Sequence, residues 1–345
     1  MQPQAVVDAA GRIRLIYFRG DPTAGDLYYE VWSPEGRRLS EPVRVNSVRG
    51  TATAIGAIRG AQIALGSRGS VHVAWNGLGE MQQNGYRRNY LAYASLRGAA
   101  FSPQRELTPT GTVLSGGCSV AADAAGYVYV VWHTGPAEES ESNGGVYLRI
   151  SCDDGRSFGP AREISASGVG ECGCCGMKAL ADRAGDLWIL YRAASEGVHR
   201  DTMLLKSDDH GATFRSIRLD PWRLQECPMS SFALADGPSG VAGAWETAGA
   251  VREASLESSR LAAGPFIGRA GAGAEKYPAL AVDNNGNTLL AWVAGAGWQR
   301  GGELQWQVYS RTGAPLSLPG KAAAVPAWSF SASVAQPGGG FLLIY

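Results

Sequence analysis

Along the 345 residues, apolar positions alternate with small or polar ones in short runs, and the runs come in matched pairs. Ala5–Phe18 (AVVDAAGRIRLIYF), Ser119–Trp132, Ala179–Tyr191, Phe232–Trp245 and Ala279–Trp292 share one layout. A small-residue run leads into an Asp-x-x-Gly segment, and a second alternating run ends on an aromatic. A period of two marks half-buried strands, and Asp with Gly marks a tight turn, so each pair predicts a β-hairpin. Looser copies cover Gln62–Trp75 and Ser331–Tyr345. The turn aspartates Asp8, Asp123, Asp182, Asp236 and Asp283 recur at intervals of about 50–60 residues or multiples of them, the mark of a repeat architecture. Between the hairpins lies a second pair of strands, as in Asp26–Val45. The chain therefore holds six four-stranded units and one extra hairpin, Ser331–Tyr345.

Two of the outer hairpins carry a sharper pattern. Ser151-Cys-Asp153-Asp-Gly155-Arg-Ser157-Phe158 and Ser207-Asp-Asp209-His-Gly211-Ala-Thr213-Phe214 both read S-x-D-x-G-x-[ST]-[FW], with degenerate copies around Ser33–Gly36, Ser95–Phe101 and Ser310–Gly313. The pattern resembles the Asp-box of sialidases and related BNR-repeat propellers, where it folds the turn between the third and fourth strands of a blade. That resemblance implies an all-β fold, one β-propeller of antiparallel four-stranded blades spanning residues 1–345. The expectation is seven blades with the last incomplete. The alternative is six, with the final hairpin packed against the first.

Composition narrows the partners. Lys plus Arg number 31 and Asp plus Glu 31, so nothing electrostatic favours nucleic acid or an anionic membrane. No apolar run nears the roughly 18 residues that span a bilayer. Met1–Gln4 runs straight into a strand-like stretch without the basic and apolar regions of a signal peptide.

In a propeller, the segment leading into each inner strand and the loop leaving the second strand share one face, near the axis. The residues directly after the terminal aromatics are Arg19, Asn76, His133, Arg192, Glu246 and Val293, five of them polar. Either they form a ring of functional groups, or strand ends simply turn polar where they meet water. The same face receives most of the cysteines: Cys172, Cys174 and Cys175 in Glu171–Gly176, Cys227 in Glu226–Ser230, and Cys118. Thiolates with the Met229 thioether nearby form a soft donor set suited to Cu(I), and to Zn(II) if a fourth thiolate or a His such as His133 joins. The oxidative reading is a disulfide from Cys172 or Cys174 to Cys227, or a vicinal Cys174–Cys175 ring. Arg200-Asp201, in the loop after the second strand of the fourth unit, offers a carboxylate clamp or a loop brace.

The Cys-x-Cys-Cys segment, Arg200-Asp201, Ser207–Phe214, Trp222 and Cys227-Pro228-Met229 together resemble a bacterial subgroup of BNR-repeat proteins labelled sialidase-like. Members look exported, which implies an extracytoplasmic protein whose signal is not in this chain. A retaining sialidase needs a Tyr nucleophile polarised by a Glu, three arginines and an Asp acid/base. Here Tyr17-Phe18-Arg19-Gly20 is the nearest string to its opening Arg-Ile-Pro motif and lacks Ile-Pro. Arg19, Arg192 and Arg200 with Glu246 are the candidate catalytic set, Asp201 beside them. The leading expectation is a soft-metal site, copper first, on Cys172, Cys174, Cys175 and Cys227, with Met229 and His133 as accessory ligands. The alternatives are a divergent glycoside hydrolase and a disulfide-stapled binding scaffold. The expected partner at this face is a small molecule, a peptide or a glycan.

Overall fold

The structure is a computed structural model and describes residues 2–56, 60–83, 85–110, 112–135, 141–257, 262–263 and 274–345. Among these residues the only helical turns are Ser67–Gly69 and Glu141–Asn143, and no helix is long and apolar enough to cross a membrane. Consecutive strands pair antiparallel in chain order as sheets whose innermost strands are Gln4–Val7, Gln62–Leu65, Val113–Ala122, Lys178–Ala181, Phe232–Gly237 and Glu275–Val282. These six blades stand around one axis as a single β-propeller. The second blade carries a split outer strand, Ala100–Phe101 and Arg105–Glu106.

The blade count is six, not seven. The closing hairpin, Ala332–Ala335 paired with Phe341–Ile344, has two four-residue strands and no outer pair. It wedges into the seam with its inner strand against those of the sixth and the first blade. An additional inner hairpin therefore seals the ring without making a further blade.

The hairpin turns explain the recurring aspartate. Asp8 Oδ1 accepts from the amides of Ala10 and Arg12 at 3.0 and 2.9 Å, and Asp182 and Asp283 accept from the equivalent amides at 2.8–2.9 Å. The glycine closing each turn has positive φ (Gly11 75°, Gly185 89°, Gly286 80°), where a side chain would be strained. The fifth blade departs from the expectation. Gly237 pairs with Gly240, so the turn sits past Asp236, which stays in the strand and ion-pairs with Arg183 at 3.1 Å. The terminal aromatics Phe18, Trp75, Trp132, Tyr191, Trp245 and Trp292 are all buried, wedged between neighbouring sheets. Each contributes roughly 1.5–3 kcal/mol of burial.

The two Ser-x-Asp-x-Gly turns fold alike and hold neighbouring blades together. Gly155 and Gly211 donate their amides to Ser151 and Ser207 Oγ, and Asp153 and Asp209 accept from the amide and hydroxyl of Ser157 and Thr213 at 2.6–3.0 Å. These bonds hold both carboxyls well below the usual carboxylate range. The residue before each glycine reaches the preceding blade. Asp154 Oδ1 accepts from Ser70 Oγ at 2.7 Å beside the buried His72, whose Nδ1 lies 2.7 Å from Tyr93 Oη. His210 stacks on Tyr127 and lies 3.3 Å from Tyr129 Oη, which donates to Asp123. All of this lies on one face of the ring, leaving the other to the leading segments and the long loops.

Candidate functional site

On that other face, a tight turn leading into the fourth blade gathers the sulfurs. Cys172 N donates to Arg192 O, Cys175 N donates back to Cys172 O, and Gly176 N donates to Ser230 O of the fifth blade's leading segment, each at 2.8–2.9 Å. The turn points the thiols inward. Cys172 Sγ lies 2.8 Å from Cys175 Sγ and 3.3 Å from Cys174 Sγ, and Cys174 and Cys175 are 3.9 Å apart. A tetrahedral thiolate site with metal–sulfur bonds of about 2.3 Å has S···S edges of roughly 3.8 Å, so shifts of about an ångström let the three share one ion. This group can hold a metal ion. Cys172 and Cys175 are fully buried and free, whereas Cys174 is joined to Cys227 by a disulfide with Cα atoms 6.4 Å apart. Of the pairings left open by the spacing, this one staples the leading segments of blades four and five. Cys227 itself is exposed, so the cluster has a route to solvent.

The surroundings set the thiols apart. Burial alone raises the Cys175 thiol. Its hydrogen bond with Cys172, the Arg192 guanidinium and the Ser230 hydroxyl and amide bring it down to about 7. Cys172 moves up instead, because it shares that bond with Cys175 and is buried. Glu171 is buried beside them, and burial pushes its carboxyl up to about 7 against a 2.5 Å hydrogen bond from Ser115 Oγ. His133 lies 3.5 Å from Glu171 Oε2, fully buried, with neither ring nitrogen hydrogen-bonded among the described residues, and burial lowers it to about 3. His133 falls outside the group of sulfurs that share one point.

The polar ring is mostly buried. Asn76, His133, Arg192 and Glu246 are at most 2% exposed, and only Arg19 faces solvent. Arg192 spends its guanidinium on Ser230 Oγ, Arg200 O and Glu246 O, between the rings of Trp222 and Phe232. Arg200 pairs with Glu141 Oε2 at 2.6 Å, and Asp201 accepts from Trp222 N and Arg218. Glu246 takes both oxygens to Lys276 Nζ at 2.9 and 3.0 Å. Burial raises the Tyr277 hydroxyl to about 12, and the charge of Glu246 adds to the rise. Arg192, Arg200 and Glu246 thus share one connected network beside the cysteines, while Cys118 is buried in the third inner strand and Cys152 is exposed in its turn. Met229 is partly exposed, in a left-handed backbone conformation with φ 48°.

Sequence reasoning missed Glu141, whose carboxylate also accepts from Gly173 N. Its signal was available. It sits in the third blade's loop at the place Arg200 occupies in the fourth.

No protein-family model matches the chain, and no curated protein matches it in sequence. In fold it is similar to the leech intramolecular trans-sialidase complexed with 2,7-anhydro-Neu5Ac, at 9% identity over 96% of this chain and 79% of that one, TM-score 0.55. It is similar also to the Penicillium chrysogenum alpha-L-arabinanase complexed with arabinobiose, at 13% identity over 90% and 93% of the two chains, TM-score 0.57. A third is the Aleuria aurantia lectin in complex with alpha-methyl-L-fucoside, at 13% identity over 94% of each chain, TM-score 0.53. The likeness is one of fold, a propeller of the kind sialidases and related glycosidases use. It spans a trans-sialidase, an arabinanase and a lectin, so the chemistry rests on the site itself.

Proposed function

We propose that this is an exported propeller whose cysteine cluster is a soft-metal site, copper first. Cys172, Cys174, Cys175 and Cys227 are the ligands, with Met229 and His133 as accessory donors. The observation that carries this is the convergence of three sulfurs within 3.9 Å, two of them fully buried and free of any disulfide. Three thiols within four residues exceed what one staple to Cys227 uses. The Cys174–Cys227 disulfide is then the oxidised form. A dithiol reductant supplies two electrons and two protons, opens that bond and completes a four-sulfur set suited to Cu(I). Anaerobic elemental analysis with thiol titration tests the proposal. Near-stoichiometric copper that is lost in Cys172→Ser and Cys175→Ser supports it. No metal, and no Cu(I) uptake after reduction, overturns it and leaves a stapled scaffold.

A second reading, a divergent glycoside hydrolase, is favoured by one observation. Tyr277 is buried near enough to Glu246 for the carboxylate's charge to act on its hydroxyl, while both oxygens of Glu246 bond Lys276. It predicts turnover of a sialoside or another acidic glycan that disappears in Glu246→Gln and survives Cys172→Ser.

A further inference from the structure

The inner strands leave a partly open space of about 110 Å³ on the axis, and among the described residues one charged side chain, Lys178 of the fourth blade, lines it. Its Nζ crosses the axis to the first and second blades, donating to Gln4 Oε1 at 3.1 Å and Gln62 Oε1 at 2.9 Å. Amide oxygens orient an ammonium without neutralising it, and two bonds leave its third N–H unspent among the described residues. Facing the same space from the closing hairpin are Ser331, which is buried, and Ser333, with neither hydroxyl partnered among the described residues. That hairpin packs against the Gln4 strand, so the hydroxyls flank the side of the axis to which Nζ reaches. Among the described residues no carboxylate lines the space, and Cys118, its other titratable group, has its thiol pushed by burial up to about 12.

A partly buried cation that meets only neutral acceptors, beside hydroxyls unpartnered among the described residues, is an incomplete charge arrangement. We propose that the axial space binds a small monoanion, a halide or a one- or two-carbon carboxylate, held by the Lys178 ammonium and the Ser331 and Ser333 hydroxyls. The anion ties the fourth blade to the seam where the ring closes. Burial lowers the Lys178 ammonium to about 8, so binding weakens as pH rises past that value.

The test uses the whole chain with bromide as the probe, at ionic strength held constant with a bulky sulfonate. The expected result is one anomalous bromide peak at Nζ and a melting temperature that climbs with the logarithm of bromide concentration. The climb should vanish in Lys178→Met, and the apparent bromide affinity should fall tenfold or more in the Ser331→Ala/Ser333→Ala double variant. The double variant removes only two hydroxyls and decides the matter if Lys178→Met fails to fold. Water alone at Nζ, or the same melting response in the variants, overturns the proposal. A crystal bromide without any melting response is an adventitious ion only and overturns it equally.

Discussion

Arg200 Nη1 donates to Glu141 Oε2 at 2.6 Å, joining the corresponding loops of the third and fourth blades beside the cysteine turn. Glu141 also holds that turn directly, its Oε1 accepting from Gly173 N and its carbonyl from Glu171 N. Glu141→Ala removes the pair and one turn bond together. We expect the Cys172 and Cys175 thiols to alkylate about tenfold faster in the native state, equivalent to about 1.4 kcal/mol of easier opening. Equal alkylation rates in the variant and the parent would show that the pair does not guard the cluster.

Arg192 behaves as a structural post. Its three acceptors come from the leading segment of blade five, the loop of blade four and the second strand of blade five, and two aromatic faces sandwich it. Arg192→Met should cost about 3 kcal/mol or more in urea unfolding, because buried acceptors are left unpaired. A loss below about 1 kcal/mol would mean that water replaces the guanidinium.

The Ser-x-Asp-x-Gly turns are inter-blade fasteners. A methyl group at Gly155 would run into Tyr93 Oη of the preceding blade, in a backbone with φ 74°. Gly155→Ala should destabilise by about 3 kcal/mol, whereas Gly98→Ala, with open space around it and φ 63°, should cost only about 1 kcal/mol. Comparable losses at the two positions would remove the fastening role.

Two buried groups oppose each other in pH. Glu253 is fully buried with neither carboxylate oxygen hydrogen-bonded among the described residues, and burial pushes it up to about 7. A carboxyl raised in the folded state favours folding when protonated, so its contribution is full below about 4.5 and is lost as pH rises to 7. His72 is lowered to about 4 by burial, against the pull of Asp154. It is neutral when folded, so its contribution is full above about 6.5 and is lost as pH falls to 4. Each slope approaches about 1.4 kcal/mol per pH unit inside its window, and the two largely cancel. Glu253→Gln should therefore leave stability rising with pH between 4.5 and 6.5, and His72→Gln should leave it falling. Parallel pH profiles in parent and variants would refute the assignment.

The turn aspartates, the alternating runs and the terminal aromatics were readable because each is a local demand of a strand or a turn. Asp236 was misplaced because a two-residue hairpin needs no side-chain acceptor, and an Asp in register looks the same as one in use. Blade number turned on where the last hairpin docks, a long-range property that pattern does not carry. The post-aromatic residues fitted either a ring of functional groups or strand ends meeting water, and spacing could not show that His133, Arg192 and Glu246 are buried. Spacing suggested that the cysteines converge, but not which of them pair. Lys178 gave no signal at all, since one lysine in an inner strand acquires meaning only when the ring closes around it.

The axial bonds of Lys178 bridge residues 174 and 116 apart in the chain, while most other contacts join strands of the same or adjacent blades. Blades can assemble one beside the next, but these bonds form only when the circle is complete, and they reach across the axis to the Gln4 strand that borders the seam where it would part. They act on the lifetime of the folded ring more than on the speed of its formation, so weakening them should hasten unfolding and leave refolding nearly untouched.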